Sequence, residues 1–132
     1  MWDSVFAHRE DLARHEFLPG GVLWRVERWW YEGGVLEIQF QESGGSRKKL
    51  VSFEPVYFSA ADEFVEAYGG MESAEAIRWK RSGSRLAAVK NFLLTNCPER
   101  ELYSSLQAYE VSAMEWTLRF VCLSPPTVKD AA

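Results

Sequence analysis

The side chains best suited to metal binding in this chain are His8, Asp11 and His15. They stand at i, i+3 and i+7 within residues 4–16. There a capping Asp3 or Ser4 and a stripe of Phe6, Leu12 and Ala13 predict a helix. That spacing sets all three along one side. Two helical turns, about 10 Å, separate the histidines, too far for one ion to bridge, and the spacing of four found in HExxH sites is absent. The expected role is a solvated helix face. Of the two cysteines, Cys122 lies in an alternating apolar run and is expected to be a buried thiol, while Cys97 precedes Pro98 in a loop. Two cysteines make neither a disulfide framework nor a four-ligand zinc site.

Asp62, Glu63 and Glu66 open a second candidate helix, Ser59–Tyr68, and Glu72 and Glu75 follow. Paired carboxylates can act as acid and base or hold a hard cation, but this spacing selects neither. Their place near a helix start is accounted for by the macrodipole. A basic segment comes next: Arg78, Lys80, Arg81, Arg85 and Lys90, with no acidic residue between Ile77 and Phe92. The expectation is that it pairs with the acidic stretch before it, with an anion site at the Ser84 helix start as the alternative. Ser82-Gly83-Ser84 lacks the spacing of a phosphate-binding P-loop, and the glycine doublets lie at turns. No catalytic residue, metal ligand or cofactor site is assigned.

The aromatic residues carry more information. Six Trp, five Tyr and eight Phe occur in 132 residues, and Trp29-Trp30-Tyr31 are consecutive. A strand sends neighbouring side chains to opposite faces. Uniform alternation puts Val22, Trp24, Val26 and Trp30 on one face and Arg25, Glu27, Trp29 and Tyr31 on the other. Exposed Trp, Tyr and Arg are enriched in interface hot spots. Arg25, Glu27, Trp29 and Tyr31, with the acidic pair Asp62 and Glu63, are therefore the candidate partner-binding residues.

The elements that would hold these residues alternate in the same way. Val22–Tyr31 and Val35–Gln41 predict a hairpin about Glu32-Gly33-Gly34. Lys48–Phe58 predicts a third strand, broken at Pro55. Ala76–Lys80 fits strand or helix. Ser84–Thr95 predicts a helix with Leu86, Val89, Phe92 and Leu93 on one side. Leu102–Val111 and Met114–Leu123 predict a closing hairpin. The fold class expected is α+β: one domain over residues 1–126, with a mainly antiparallel sheet of five or six strands, two or three helices on one face, and a flexible tail at 127–132.

Hydrophobic residues at 47% and charged residues at 26% fit a globular domain, and the net charge is −4. That balance argues against nucleic acid as a partner, because phosphate neutralisation calls for a basic field. It suits a basic protein partner. The N-terminus lacks the apolar core of a signal peptide, and no apolar run approaches a membrane span. The cytoplasm is the expected location, with no membrane partner.

The order of features resembles small bacterial α+β proteins, among them immunity proteins of polymorphic toxin systems. The likeness rests on the Trp-containing hairpin Val22–Phe40, on Phe53–Glu63 and on the closing segment Tyr109–Pro126. It is a likeness of pattern and gives no residue a role. It implies a non-enzymatic protein that binds and blocks another protein. The alternative reading is a small-molecule binder with an aromatic-lined pocket, and after it a small enzyme.

Overall fold

The structure, a computed structural model, describes residue 6 and residues 12–14, 17–62, 77–80, 84–96, 106–113 and 116–131. The strands are β1 (Leu12–Arg14), β2 (Trp24–Glu32), β3 (Val35–Glu42), β4 (Lys48–Phe53), β5 (Pro55–Asp62), β6 (Ile77–Lys80), β7 (Gln107–Ala113), β8 (Trp116–Cys122) and β9 (Thr127–Asp130). One helix, α1 (Ser84–Asn96), stands between β6 and β7. The strands form two antiparallel sheets, a five-stranded one ordered β1-β6-β7-β8-β5 and a four-stranded one ordered β2-β3-β4-β9.

This corrects the expected α+β fold of a single sheet under two or three helices. Among the described residues there is one helix, and the main core lies between two sheets. Two of the expected helices account for the difference. Residues 12–14 of the first are strand β1, and its remainder, with His8, Asp11 and His15, lies outside the described residues apart from Phe6. Ser59–Asp62 of the second continue β5, where Ser59, Ala60 and Ala61 pair with Arg119, Leu118 and Thr117. Cross-strand pairing here overrides the helical preference of two alanines. Glu63–Tyr68 lie outside the described residues.

Pro55 does more than break a strand. β4 ends at Phe53 in the four-stranded sheet, and β5 starts at Pro55 in the five-stranded one. The chain thus changes sheets at a residue that cannot donate to a ladder. The hairpin turn between β2 and β3 forms at Gly33 (φ 61°) and Gly34 (φ 81°). Two successive positive φ values are what a tight hairpin of the right twist requires, and glycine adopts them without a Cβ penalty. Residues 127–130, assigned to the flexible tail from sequence, are β9, paired with β4.

The core between the sheets is aromatic. Phe53 from the four-stranded sheet meets Phe120 and Tyr109 from the other at centroid distances of 4.6 and 5.2 Å, and Phe17 closes against both Phe53 and Tyr109. Such tilted pairs contribute about 0.5–1.5 kcal/mol each beyond their burial. The five-stranded sheet also packs on its other side. Val89 and Leu93 of α1 bury against Ala108, Val121 and Leu106, with Phe6, Tyr57 and Leu123 at the margin. Phe92, expected on the packed stripe of α1, is exposed instead. The described residues therefore form three layers: sheet, sheet, helix.

Candidate partner-binding surface

The local structure of β2 decides where its aromatic residues go. Trp24 and Val26 are buried and pair with Glu42 and Phe40. Then the register shifts: Val26 opposes Phe40, but Arg28, not Glu27, opposes Gln39. Glu27 is the extra residue of a β-bulge, and a one-residue slip exchanges the faces of everything beyond it. Trp29 and Tyr31 therefore turn to the core side, opposite Ile38 and Leu36, and Trp30 turns to the outer face, opposite Glu37. This reverses the faces that uniform alternation assigns to all three. Glu27 itself is exposed, and its Oε1 lies 3.1 Å from Lys48 Nζ.

β2 is an edge of the four-stranded sheet and β5 an edge of the five-stranded one. At this flank the core side of the sandwich comes to the surface as a cluster of rings. Tyr31 stacks on Phe58 at 4.7 Å and 11°. Trp29 lies 5.9 Å from Phe58 and 6.2 Å from Trp116, the latter edge-on. Tyr31 and Trp116 remain 43% and 39% exposed, while Trp29 and Phe58 are half-buried. The surface is thus supported from within by its own core and leaves two large rings exposed. Asp62 is the register partner of Trp116 at the end of β5, and Glu32 is exposed at the end of β2.

Of the residues singled out from sequence, the fold brings Trp29, Tyr31 and Asp62 to this flank. Arg25 pairs with Gln41 ahead of the bulge and is exposed, and Glu27 belongs to the bulge. Neither joins the ring cluster. Glu63 lies outside the described residues, as does Cys97. Phe58 and Trp116 were missed. Their contribution depends on the approach of two edges from different sheets, which alternation along a single strand does not show.

The outer face of the four-stranded sheet is finished by paired polar groups. Arg28 donates from Nε to Gln39 Oε1 at 3.1 Å and stacks its guanidinium 5.1 Å from the Trp30 ring centroid. Ser52 Oγ donates to Glu37 Oε2 at 3.5 Å. Inside the core, Cys122 is fully buried, and burial pushes its thiol up to about 12, so it stays protonated at neutral pH. Burial, with Cys122 nearby, also raises the Tyr109 hydroxyl above its ordinary value. Among the described residues, no three His, Cys, Asp or Glu side chains group closely enough to hold a metal ion. No described helix is long and apolar enough to cross a membrane. Comparison of the chain with protein-family models, with curated proteins and with solved structures gives no match.

Proposed function

We propose that this chain is a protein-binding module, acting as an inhibitor or immunity protein does, and that it docks its partner on the flank formed by Trp29, Tyr31, Phe58 and Trp116. The observation that carries the proposal is the exposure of Tyr31 and Trp116 on top of rings that are themselves anchored in the core. Rigid, half-buried Trp and Tyr side chains lose little entropy on binding and are the residue types that dominate interface energies. Glu32 and the position of Asp62 at the rim favour a partner that presents apolar groups with cationic neighbours.

Affinity capture with the wild-type chain, with Tyr31→Ala/Trp116→Ala and with Arg25→Ala tests this. The expected outcome is a partner retained by wild type and by Arg25→Ala and weakened about 30-fold or more by the double substitution, as for loss of a hot spot. Melting temperatures of the three proteins show that each is folded. A partner that survives the double substitution and is lost with Arg25→Ala would place recognition on the outer sheet face and end the proposal.

A further inference from the structure

Among the described residues each sheet has two edges, and they differ in how they are protected. β1 and β9 are three and four residues long, and β5 begins on a proline. Short strands and proline keep a further strand from adding. β2 is nine residues long without a proline, and no described strand pairs with its far side. Its free backbone groups can be located. Glu32 and Val35 flank the two-residue turn at Gly33-Gly34. The pair closing such a turn is hydrogen-bonded, and bonded and unbonded pairs alternate behind it. The N–H and C=O of Tyr31 and Trp29 therefore point away from β3. At the other end Ser43 N–H donates to Leu23 C=O at 2.8 Å, so alternation points those of Trp24 and Val26 away as well.

The bulge gives β2 a symmetry that an ordinary strand lacks. Trp24 and Val26 face the core before it, and Trp29 and Tyr31 face the core after it. Arg25, Glu27, Arg28 and Trp30 face outward. Residues directly opposite in an antiparallel pair share a face. Laid antiparallel against a second copy of itself, β2 has one register that matches faces throughout. Trp24 then opposes Tyr31, Arg25 opposes Trp30, Val26 opposes Trp29, and Glu27 opposes Arg28. Any slip sets a core-side residue against an outward one. A bulge ordinarily deters an added strand. In this register the two bulges fall opposite one another, so neither shifts the other strand out of step. The same register opposes Trp24 to Tyr31 and Val26 to Trp29, the residues whose backbone groups are turned outward.

Charge agrees with this register. Glu27 meets Arg28 twice, once on each side of the two-fold axis, and each Arg25 falls beside a Trp30 ring. All three charged residues are exposed. Glu27 uses Oε1 on Lys48 and Arg28 uses Nε on Gln39, leaving Oε2 and the terminal guanidinium nitrogens for the facing copy. We infer that β2 is a self-association edge. Two copies of this chain pair along it, antiparallel, about an axis between Glu27 and Arg28, and one sheet runs through both. The edge uses the backbone of Trp29 and Tyr31, whereas the aromatic flank uses their rings, so either can hold without the other.

Sedimentation velocity of the full chain between about 1 μM and 1 mM tests it, a range that brackets weak association. The proteins are wild type, Glu27→Arg, Arg28→Glu, the exchange Glu27→Arg/Arg28→Glu and Trp116→Ala, each shown to be folded by its melting transition. Wild type is expected to reach a dimer. Either single reversal sets like charges opposite one another twice and raises the dissociation constant about tenfold or more. The exchange variant keeps unlike charges opposed and dimerises as wild type does. An equimolar mixture of the two single reversals forms a heterodimer tighter than either variant forms alone. A wild type that stays monomeric throughout overturns the edge. So do single reversals that dimerise like wild type, or a mixture no tighter than its components. Dimerisation lost in Trp116→Ala and kept in both reversals would seat the second copy on the aromatic flank and likewise overturn it.

Discussion

The two sheets share one core, but their opposite faces are finished in different ways. On the four-stranded sheet the outer face meets water, and its polar groups are matched with near neighbours: Arg28 with Gln39, Lys48 with Glu27, Ser52 with Glu37. On the five-stranded sheet the outer face is covered at one end by α1, and a transverse row of ionic residues crosses it, where Arg119 Nε donates to Glu110 Oε2. The difference shows that alternation along a strand only decides which residues leave the core. What they meet there decides their energy. An exposed pair contributes about 0–1 kcal/mol, whereas a buried pair is costly to break because it leaves a charge without compensation.

The comparison breaks most visibly at its two carboxylates. Glu110→Gln is expected to destabilise the protein by about 3 kcal/mol, at the low end for breaking a buried pair because Arg119 keeps 20% of its side chain exposed. Glu37→Gln, on the solvated sheet, is expected to cost under about 0.5 kcal/mol. Urea unfolding of both variants measures this. Equal costs would show that the helix-covered face is as well hydrated as the open one.

How much of this arrangement is visible along the sequence depends on how far apart its parts lie. The β2–β3 hairpin, α1 and the run from Trp116 to Cys122 are local, and periodicity with glycine or proline signals locates each of them to within two residues. The bulge at Glu27 has no such signal: neither glycine nor proline marks it, and only pairing with β3 reveals that Arg28 takes the place opposite Gln39. The ring cluster needs β2 and β5 to meet from different sheets. The ionic row needs the registers of β1, β6, β7, β8 and β5 together, and its arginines come from positions 14, 78 and 119. Sequence showed the basic run beginning at Arg78, but not that Arg14 and Arg119 fall in line with it.

The bulge offers a sharper and smaller test of the solvated sheet. Deleting Glu27 removes the extra residue, so that regular alternation from Val26 puts Arg28 and Trp30 outward and Trp29 and Tyr31 inward, as they are now. The ring cluster is therefore expected to survive, at a cost of about 1 kcal/mol or less for the lost exposed pair with Lys48. The near-UV circular dichroism of the tryptophans reports the cluster. A flattened spectrum from a folded deletion variant would show that the bulge bends β2 toward β5 as well as setting its parity.

The smallest expected effect lies at the β9 edge, where the four-stranded sheet is fastened by the Lys49–Asp130 ion pair and by the Ala131 N–H donating to Lys48 C=O at 3.0 Å. The hydrogen bond from Lys49 holds the Asp130 carboxyl below its ordinary value, with the ammonium charge acting in the same direction. A carboxyl whose folded value is lowered favours the folded state when ionised. Its contribution is thus complete above the unfolded value of about 3.9 and is lost as pH falls through the lower folded value. Asp130 is fully exposed, so the loss should stay local. The amide resonance of Ala131 should move with pH in that acid range while those of β2 and β3 hold their positions, and Asp130→Asn should abolish the movement. If Ala131 still titrates in Asp130→Asn, the edge is held by the backbone pairing of β9 with β4 and owes nothing to the ion pair.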